Sequence, residues 1–71
     1  MITVNGVLIE KNELSLGMYL DANGYDRPCI AVERNGVVIR SSEYNTTLLR
    51  DGDIVEIVQF VGGGSRHAVF Y

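Results

Sequence analysis

Two Asn-Gly dipeptides, Asn5-Gly6 and Asn35-Gly36, constrain the fold more than any other feature of this chain of 71 residues. Each lies between short runs rich in β-branched residues. A two-residue type I′ turn requires positive φ at both central positions, which Asn and Gly tolerate. The sequence therefore predicts two β-hairpins. The first covers residues 2–10, and its predicted inward-facing side chains are Ile2, Val4, Val7 and Ile9.

A short helix is predicted between the two hairpins, near residues 16–23. Ser15 can cap its amino terminus, and Gly24 suits the left-handed conformation that often follows a last helical turn. Gly17 lies inside the helix, where glycine costs about 1 kcal/mol relative to alanine. The helix must therefore depend on packing, through apolar residues at helical spacing: Leu16, Tyr19 and Leu20.

The second half of the chain predicts further strands. Residues 29–33 read as a strand that leads into the second hairpin, residues 41–45 can hold one short helical turn, and residues 46–49 are ambiguous. Residues 54–61 are the longest β-like run and are apolar on both faces apart from Glu56 and Gln59, as is typical of a central strand. The order of elements predicts an α+β roll, in which one short helix packs on a four- or five-stranded mixed sheet.

Composition and charge argue against several functional classes. No apolar run approaches the roughly 18 residues of a membrane span, and the amino terminus does not resemble a signal peptide. A single cysteine excludes an internal disulfide, so a cytoplasmic location is expected. A net charge of −3 with scattered arginines argues against nucleic-acid binding. So short a chain has little room for an enclosed active site, and an enzyme is not expected.

Three consecutive glycines, residues 62–64, follow the last predicted strand. Glycine loses the most conformational entropy on ordering, so this segment is predicted to be a flexible tail. It carries no β-carbons and could thread a channel too narrow for side chains. The predicted organisation is a domain at 1–61, the tail at 62–64 and an extension at 65–71. A plain linker to a disordered end is the alternative, whereas a phosphate-binding loop does not fit because neither a helix nor Lys-Ser/Thr follows.

Three stretches of the chain together resemble the ThiS sulfur-carrier proteins. These stretches are residues 31–36 (Ala-Val-Glu-Arg-Asn-Gly), the turn and strand at 51–58, and the exit at 60–64 (Phe-Val-Gly-Gly-Gly). ThiS proteins are small ubiquitin-like β-grasp proteins related to MoaD. The resemblance covers residues 1–64, and glycines directly after the final strand are its most specific element. It implies a ubiquitin-like β-grasp fold.

The resemblance also implies a chemistry. In the family, a ThiF- or MoeB-like enzyme adenylates the carboxylate of the last glycine with ATP and Mg²⁺. A persulfide sulfur then replaces AMP, and the resulting thiocarboxylate donates sulfur to a partner, which for ThiS is thiazole synthase. Carried over to this chain, Gly64 bears the thiocarboxylate, with Gly63 as the alternative, and Gly62 and Gly63 thread into the partner. The carrier itself is expected to bind neither a cofactor nor a metal.

The chain departs from the family pattern after Gly64, where seven residues follow. The resemblance implies a precursor that a JAMM-type zinc protease trims. Some trimmed carriers serve amino-acid sulfhydrylases in homocysteine or cysteine synthesis, so the acceptor stays open between these and thiazole synthase. The alternative is that residues 65–71 are foreign to the natural protein. A ubiquitin-like conjugation or interaction module, or a structural domain without sulfur chemistry, would also fit the residues.

Strand alternation in the last run predicts a docking patch. Alternation places Val55 and Ile57 on one face and the even-numbered residues on the other. An aromatic side chain exposed beside a reactive tail is a candidate contact for a partner. The predicted patch comprises Val58 and Phe60 on this face, together with the next residue, Val61. The alternative is that Phe60 folds back onto the sheet.

The remaining polar and reactive residues have ordinary structural interpretations. Cys29 is predicted to fill the core, because nothing basic adjoins it to lower its pKa. His67 lies in the extension, where a disordered role is expected. Arg50, Asp51 and Asp53 are expected to be solvated turn residues, with a polar rim around the docking patch as the alternative. An exposed strand edge is expected at residues 37–39.

Overall fold

The computed structural model describes residues 1–60. In chain order the elements are β1 Ile2–Val4, β2 Val7–Ile9, β3 Glu13–Ser15, α1 Leu16–Ala22, β4 Ile30–Arg34, β5 Val37–Ile39, β6 Leu48–Arg50 and β7 Ile54–Gln59, with short 3-10 helices at Arg27–Cys29 and Ser41–Thr46. Five strands form one sheet in the order β2-β1-β7-β4-β5, and β3 pairs with β6 in a separate ribbon. The predicted mixed sheet of four or five strands with one helix is confirmed, with five strands.

The last strand, β7, lies at the centre of the sheet, as its apolar character predicts. It runs parallel to β1 and antiparallel to β4. It ends at Gln59, two residues before the predicted limit, and Val61 lies outside the described residues. The predicted edge strand is also confirmed, since β5 ends the sheet with Val37 and Val38 exposed.

Both Asn-Gly hairpins form as predicted. Asn5 and Gly6 have φ of 49° and 81°, and Asn35 and Gly36 have φ of 52° and 84°, so all four residues adopt the left-handed region. Of the residues predicted to point inward in the first hairpin, Ile2 and Val4 are buried and Ile9 is partly buried. The prediction for Val7 is wrong, because β2 lies at the edge of the sheet, beyond the core, and leaves this side chain 63% exposed.

The helix begins and ends close to its predicted limits. Ser15 is the N-cap, and its Oγ accepts a hydrogen bond from the Met18 amide at 3.4 Å. Gly24 has φ of 72°, as expected after the last turn. Gly17 is buried, and a β-carbon built on it would lie 2.5 Å from Asn45 Oδ1. The glycine that weakens the isolated helix is therefore what allows the helix to approach the chain at Asn45.

Three parts of the fold differ from the sequence analysis. The β3–β6 ribbon was not predicted, because its strands have only three residues each and lie far apart in the chain. The polar stretch near residue 44 does form a short helix, but its Tyr44 is 2% exposed and belongs to the core. Cys29 lies in a 3-10 helix and not in β4, and it is only partly buried. The prediction that it fills the core is therefore wrong.

The core lies between α1 and one face of the large sheet. We call this side of the sheet the packed face; its buried residues are Ile2, Val4, Ile30, Val32, Val55 and Ile57. Leu16 and Leu20 of α1, with Tyr44 and Leu49, complete the core cluster. On the opposite side of the sheet Leu8, Val38 and Ile54 remain exposed, and this asymmetry determines where the candidate site lies.

Candidate functional site

The end of β7 is fastened to the sheet on both of its long edges. On one edge, Phe60 donates its backbone N–H to the carbonyl of Cys29 at 2.7 Å, which extends the β4 pairing by one residue. On the other edge, β1 pairs with β7 only as far as Val55. Asn5 then takes over, since its side-chain oxygen accepts from the Ile57 amide at 2.8 Å and its Nδ2 donates to the Ile57 carbonyl at 3.3 Å.

The start of β7 is fixed by a charged network around Asp53. This carboxylate accepts hydrogen bonds from Arg34 Nε at 2.9 Å, Asn35 Nδ2 at 3.0 Å and the Arg50 backbone N–H at 2.8 Å. It also pairs with the second guanidinium nitrogen of Arg34 at 2.8 Å. Burial acts to raise the pKa of Asp53, but these hydrogen bonds and the Arg34 charge together hold it below its ordinary value.

The structure therefore corrects the interpretation of Asp53 as a solvated turn residue. Asp53 is 9% exposed, and its side chain joins the second hairpin to β7. Arg50 and Asp51 are exposed, as expected of turn residues, and Asp51 pairs with the amino terminus. The family resemblance thus includes residues that connect two parts of the fold, near 31–36 and 51–58. Their polar groups form hydrogen bonds that hold β7 in place.

The predicted docking patch lies where β7 leaves the sheet. Val58 and Phe60 share the face of exposed Glu56, and both are half-buried. Phe60 is therefore neither fully exposed nor folded into the core cluster. Val61, Gly62, Gly63 and Gly64 lie outside the described residues, as does the extension at 65–71, so their predicted roles remain predictions.

A shallow recess borders the same exit on the opposite side of the strand. It has a volume of about 300 Å³ and is lined by Asn5, Asn23, Tyr25, Ile57 and Gln59. The lining is formed largely by amide and phenol groups, which can donate and accept hydrogen bonds. A partner that holds the segment after Phe60 would find polar groups on one side of it and the Val58–Phe60 patch on the other.

We call the uncovered side of the sheet the open face. The pairing of the strands shows which residues lie on this face. Thr3 lies opposite Leu8 and Ile54, and Glu33 lies opposite Glu56 and Val38. Residues directly opposite in a sheet share a face, as do residues two apart in a strand. Its defining side chains are Leu8, Glu33, Val38, Ile54, Glu56 and Val58.

Cys29 lies next to the exit, since its carbonyl pairs with Phe60, but its thiol is not activated. The hydrogen bond with Asp26, partial burial and the negative charge of Asp26 all raise the pKa of Cys29. A raised pKa leaves the sulfur protonated near neutral pH and lowers its nucleophilic reactivity. The raised pKa therefore argues against Cys29 as a carrier of sulfur.

The described part of the chain supports neither a metal site nor a membrane-spanning helix. Residues 1–60 contain no grouping of His, Cys, Asp and Glu side chains that could bind a metal ion. No helix within the same range has the length and apolar character needed to cross a membrane. What the described residues offer is a rigid support for the exit of β7 and an uncovered sheet face beside it.

A mixed sheet with its last strand at the centre and one helix packed across it defines the ubiquitin-like β-grasp class. The crystal structure of the thiamine biosynthesis protein ThiS from Geobacter metallireducens matches with a TM-score of 0.67 and 33% identity, over 89% of this chain and 97% of that one. The NMR solution structure of a thiamine biosynthesis protein from the same organism gives a TM-score of 0.66 at 30% identity, over 99% and 95% of the two chains.

Sequence comparison identifies the family within that class. The ThiS family model matches residues 2–64, so the chain belongs to the ThiS family. The sulfur carrier protein ThiS of Bacillus subtilis is 35% identical over 66 residues, which cover 90% of this chain and 100% of that protein. The resemblance seen in the sequence is confirmed.

The chain also resembles part of two larger proteins. The thiazole synthase of Paramagnetospirillum magneticum is 38% identical over 71 residues, covering 94% of this chain but 21% of that protein. The thiazole synthase of Magnetococcus marinus is 39% identical over 43 residues, covering 61% of this chain and 13% of that protein. The chain thus spans only a small part of the length of these two relatives.

Proposed function

We propose that this protein carries sulfur as a thiocarboxylate at Gly64 and acts as a protein cosubstrate, not as a catalyst. The observation that carries the proposal is the position of β7. Asn5 holds one edge of this strand as far as Ile57, and the β4 side holds the other edge as far as Phe60. Three glycines follow within four residues. A rigid support and a tail without side chains suit delivery of a carboxylate into a narrow partner site.

The chemistry follows from the low reactivity of a carboxylate. A Gly64 oxygen attacks the α-phosphorus of ATP on a ThiF- or MoeB-like enzyme, and pyrophosphate leaves. The terminal sulfur of a persulfide then attacks the acyl carbon and displaces AMP. A thiol cleaves the resulting S–S bond and leaves the thiocarboxylate. ATP and Mg²⁺ belong to the activating enzyme, and the carrier contributes an uncrowded carbonyl and its docking surface.

Docking is assigned to the patch of Val58, Phe60 and Val61. The first two side chains are half-buried on the open face, directly before the tail. A partner that covers this patch would remove apolar surface from water and would fix the direction in which the tail enters its site. The patch thus couples recognition of the carrier to placement of Gly64.

We assign thiazole synthase as the sulfur acceptor. The support is the similarity of this chain to part of two proteins named thiazole synthase, together with its membership of the ThiS family. The extension at 65–71 supports the alternative acceptor, an amino-acid sulfhydrylase of homocysteine or cysteine synthesis. With either acceptor, cleavage after Gly64 by a JAMM-type zinc protease precedes activation, because Gly64 has no free carboxylate while further residues are joined to it.

Reconstitution with the adenylating enzyme of the same organism tests the proposal. Three forms are compared: the full chain, a chain that ends at Gly64 and a chain that ends at Gly63. We expect ATP-dependent pyrophosphate release and, with a persulfide donor, a thiocarboxylate only on the form ending at Gly64. A thiocarboxylate only on the form ending at Gly63 would move the site by one residue. No adduct on any form would refute sulfur carriage.

The competing function is ubiquitin-like conjugation, and the same reaction distinguishes it. A conjugated module would form isopeptide bonds from its terminal glycine to lysines of other proteins. Addition of a cell extract from the same organism to the activated form would then give larger covalent species that resist thiols. We expect no such species.

A further inference from the structure

The asparagines of the two hairpin turns bind β7 in the same manner. Their backbones are left-handed, with φ of 49° at Asn5 and 52° at Asn35. Asn5 donates its backbone N–H to the Val55 carbonyl at 2.9 Å, and Asn35 likewise donates to a β7 carbonyl at 2.7 Å. Each side-chain amide also makes one hydrogen bond as a donor and one as an acceptor. The two residues therefore match in conformation and bonding, and they differ in where they hold the strand.

The two side chains hold β7 at opposite ends. Asn35 Oδ1 accepts from the Ile54 amide at 2.9 Å and its Nδ2 donates to Asp53 at 3.0 Å, where the strand begins. Asn5 instead binds both backbone groups of Ile57, near the exit of the strand. Beyond Ile57, the backbone hydrogen bonds found within the described part of the chain lie on the β4 edge. Asn5 therefore sets how far β7 is held on both edges.

The turn alone does not require asparagine at position 5. Glycine and aspartate also suit a left-handed turn position. Neither can replace the side-chain bonds, since glycine has no side chain and an ionised carboxylate only accepts. The Asn5 amide both donates and accepts, and it substitutes for backbone pairing that β1 supplies only as far as Val55. The amide is thus needed by the strand and not by the hairpin.

We propose that Asn5 is a positioning residue for the transfer reaction at Gly64. Its amide fixes the segment of β7 from which the tail departs, and so fixes where the carboxylate lies relative to the docked domain. Only residues 58–63 lie between Ile57 and Gly64. Without the amide, support on both edges would end at Val55. The inference rests on the proposed function, since the group that is positioned is the one that is adenylated.

Loss of this placement should slow the reaction of a carrier that still docks. A misplacement of about 1 Å can slow a reaction about 100-fold, and freedom left in an unbound segment must be lost when that segment binds. Three glycines cannot correct a misdirected base, because glycine restricts the backbone least. A loosened β7 should therefore slow the chemical step while the docking side chains still bind the enzyme.

Steady-state kinetics of adenylation test the inference, with the chain ending at Gly64, ATP and the adenylating enzyme of the same organism. This form keeps every described residue. We expect Asn5→Gly to lower kcat about tenfold and to leave KM nearly unchanged. Asn35→Gly is the matched control, because it keeps the turn and removes the same two kinds of amide bond from the far end of β7. Its kcat should equal that of the unsubstituted carrier.

Amide hydrogen exchange and thermal unfolding separate positioning from stability. Both glycine variants lose side-chain hydrogen bonds, so both should melt at a lower temperature, and kinetics are measured below both transitions. Exchange at Phe60 should become faster only in Asn5→Gly, because the Asn5 amide holds the strand near the exit. Asn5→Asp keeps the turn and the acceptor for the Ile57 N–H but loses the donor. Its kcat should therefore lie between those of Asn5→Gly and the unsubstituted carrier.

Each contrary result has a separate meaning. An unchanged kcat in Asn5→Gly, with Gly64 adenylated, would overturn the inference and leave the proposed function standing. Equal losses of kcat in Asn5→Gly and Asn35→Gly would overturn it too, since they would reflect the stability of β7. A raised KM with an unchanged kcat would make Asn5 a docking contact and not a positioning residue. No adenylation of the unsubstituted carrier would refute the proposed function, and the inference would fall with it.

Discussion

The two faces of the large sheet are built from the same strands and serve different purposes. Along β7, Val55 and Ile57 on the packed face are 0% and 5% exposed, whereas Ile54 on the open face is 57% exposed. The packed face holds the helix, and the open face holds apolar side chains together with Glu33 and Glu56, which are register partners. The comparison teaches that alternate residues of one strand differ sharply in burial, so substitutions should separate the stability of the fold from the proposed recognition of a partner.

The largest expected effect comes from a matched pair of substitutions in β7. Ile57→Ala removes buried methylene groups and should lower the free energy of unfolding by about 3 kcal/mol. Ile54→Ala removes the same atoms from an exposed site and should cost less than about 0.5 kcal/mol. Denaturation in urea measures both values. Equal losses would show that the open face is covered in the free protein. They would contradict the difference in burial between the two faces.

The next largest effect is expected at Asp53, which directly precedes β7. Asp53→Asn should lower the free energy of unfolding near neutral pH by about 2 kcal/mol, because the part-buried hydrogen bonds from Arg34, Asn35 and Arg50 lose one of the two acceptor oxygens and Arg34 loses its counter-charge. The lowered pKa of Asp53 means that its contribution is present above the unfolded carboxyl pKa of about 3.9 and is lost as pH falls through the folded value.

Urea denaturation across the acidic range checks the sign of this effect. The stability difference between the unsubstituted protein and Asp53→Asn should narrow below the unfolded pKa. Asp51→Asn provides the control, because this exposed neighbour should change stability little at any pH. A difference that stays constant into strong acid would contradict the role assigned to the Asp53 network.

A smaller effect is expected at Gly17, in the helix that covers the packed face. Helix propensity alone predicts that Gly17→Ala stabilises the protein by about 1 kcal/mol. The new β-carbon would meet Asn45 Oδ1 at 2.5 Å and Asn45 Cα at 3.1 Å, so we expect a net loss of about 1 kcal/mol. Thermal unfolding gives the sign. Adding Asn45→Ala should recover part of the loss, and a stabilised single variant would show that the helix can move away.

The smallest effect is expected at Cys29, which belongs to neither face. Cys29→Ser should leave stability and thiocarboxylate formation nearly unchanged, because the raised pKa keeps the thiol protonated and the proposed site of the sulfur is Gly64. The measurement is the yield of thiocarboxylate in the reconstituted reaction. A lost yield with unchanged thermal unfolding would assign Cys29 a direct part in sulfur transfer.

Local signals made much of the fold predictable from the sequence. The Asn-Gly turns depend on backbone preferences of two adjacent residues, and Ser15 and Gly24 limit the helix through contacts within one turn. Strand alternation also gave the faces of β7 correctly. Each of these features is decided by neighbours in the chain, so a single sequence contains the required information.

Long-range contacts explain what the sequence did not reveal. The carboxylate of Asp53 looks like that of any turn residue until Arg34 and Asn35 approach it from a distant hairpin. The Glu33–Glu56 pair exists only through the register of β4 with β7. The polar stretch around Tyr44 gave no sign that this ring would enter the core. The sequence predicted that the candidate site lies on β7. The arrangement of charges around the site could be seen only once the pairing of the strands was known.

Intact-mass analysis of the protein isolated from its native cells tests the central claim most directly. The account predicts a chain that ends at Gly64, with one terminal oxygen replaced by sulfur. A full-length chain ending at Tyr71, unmodified even when the demand for sulfur is high, would contradict it.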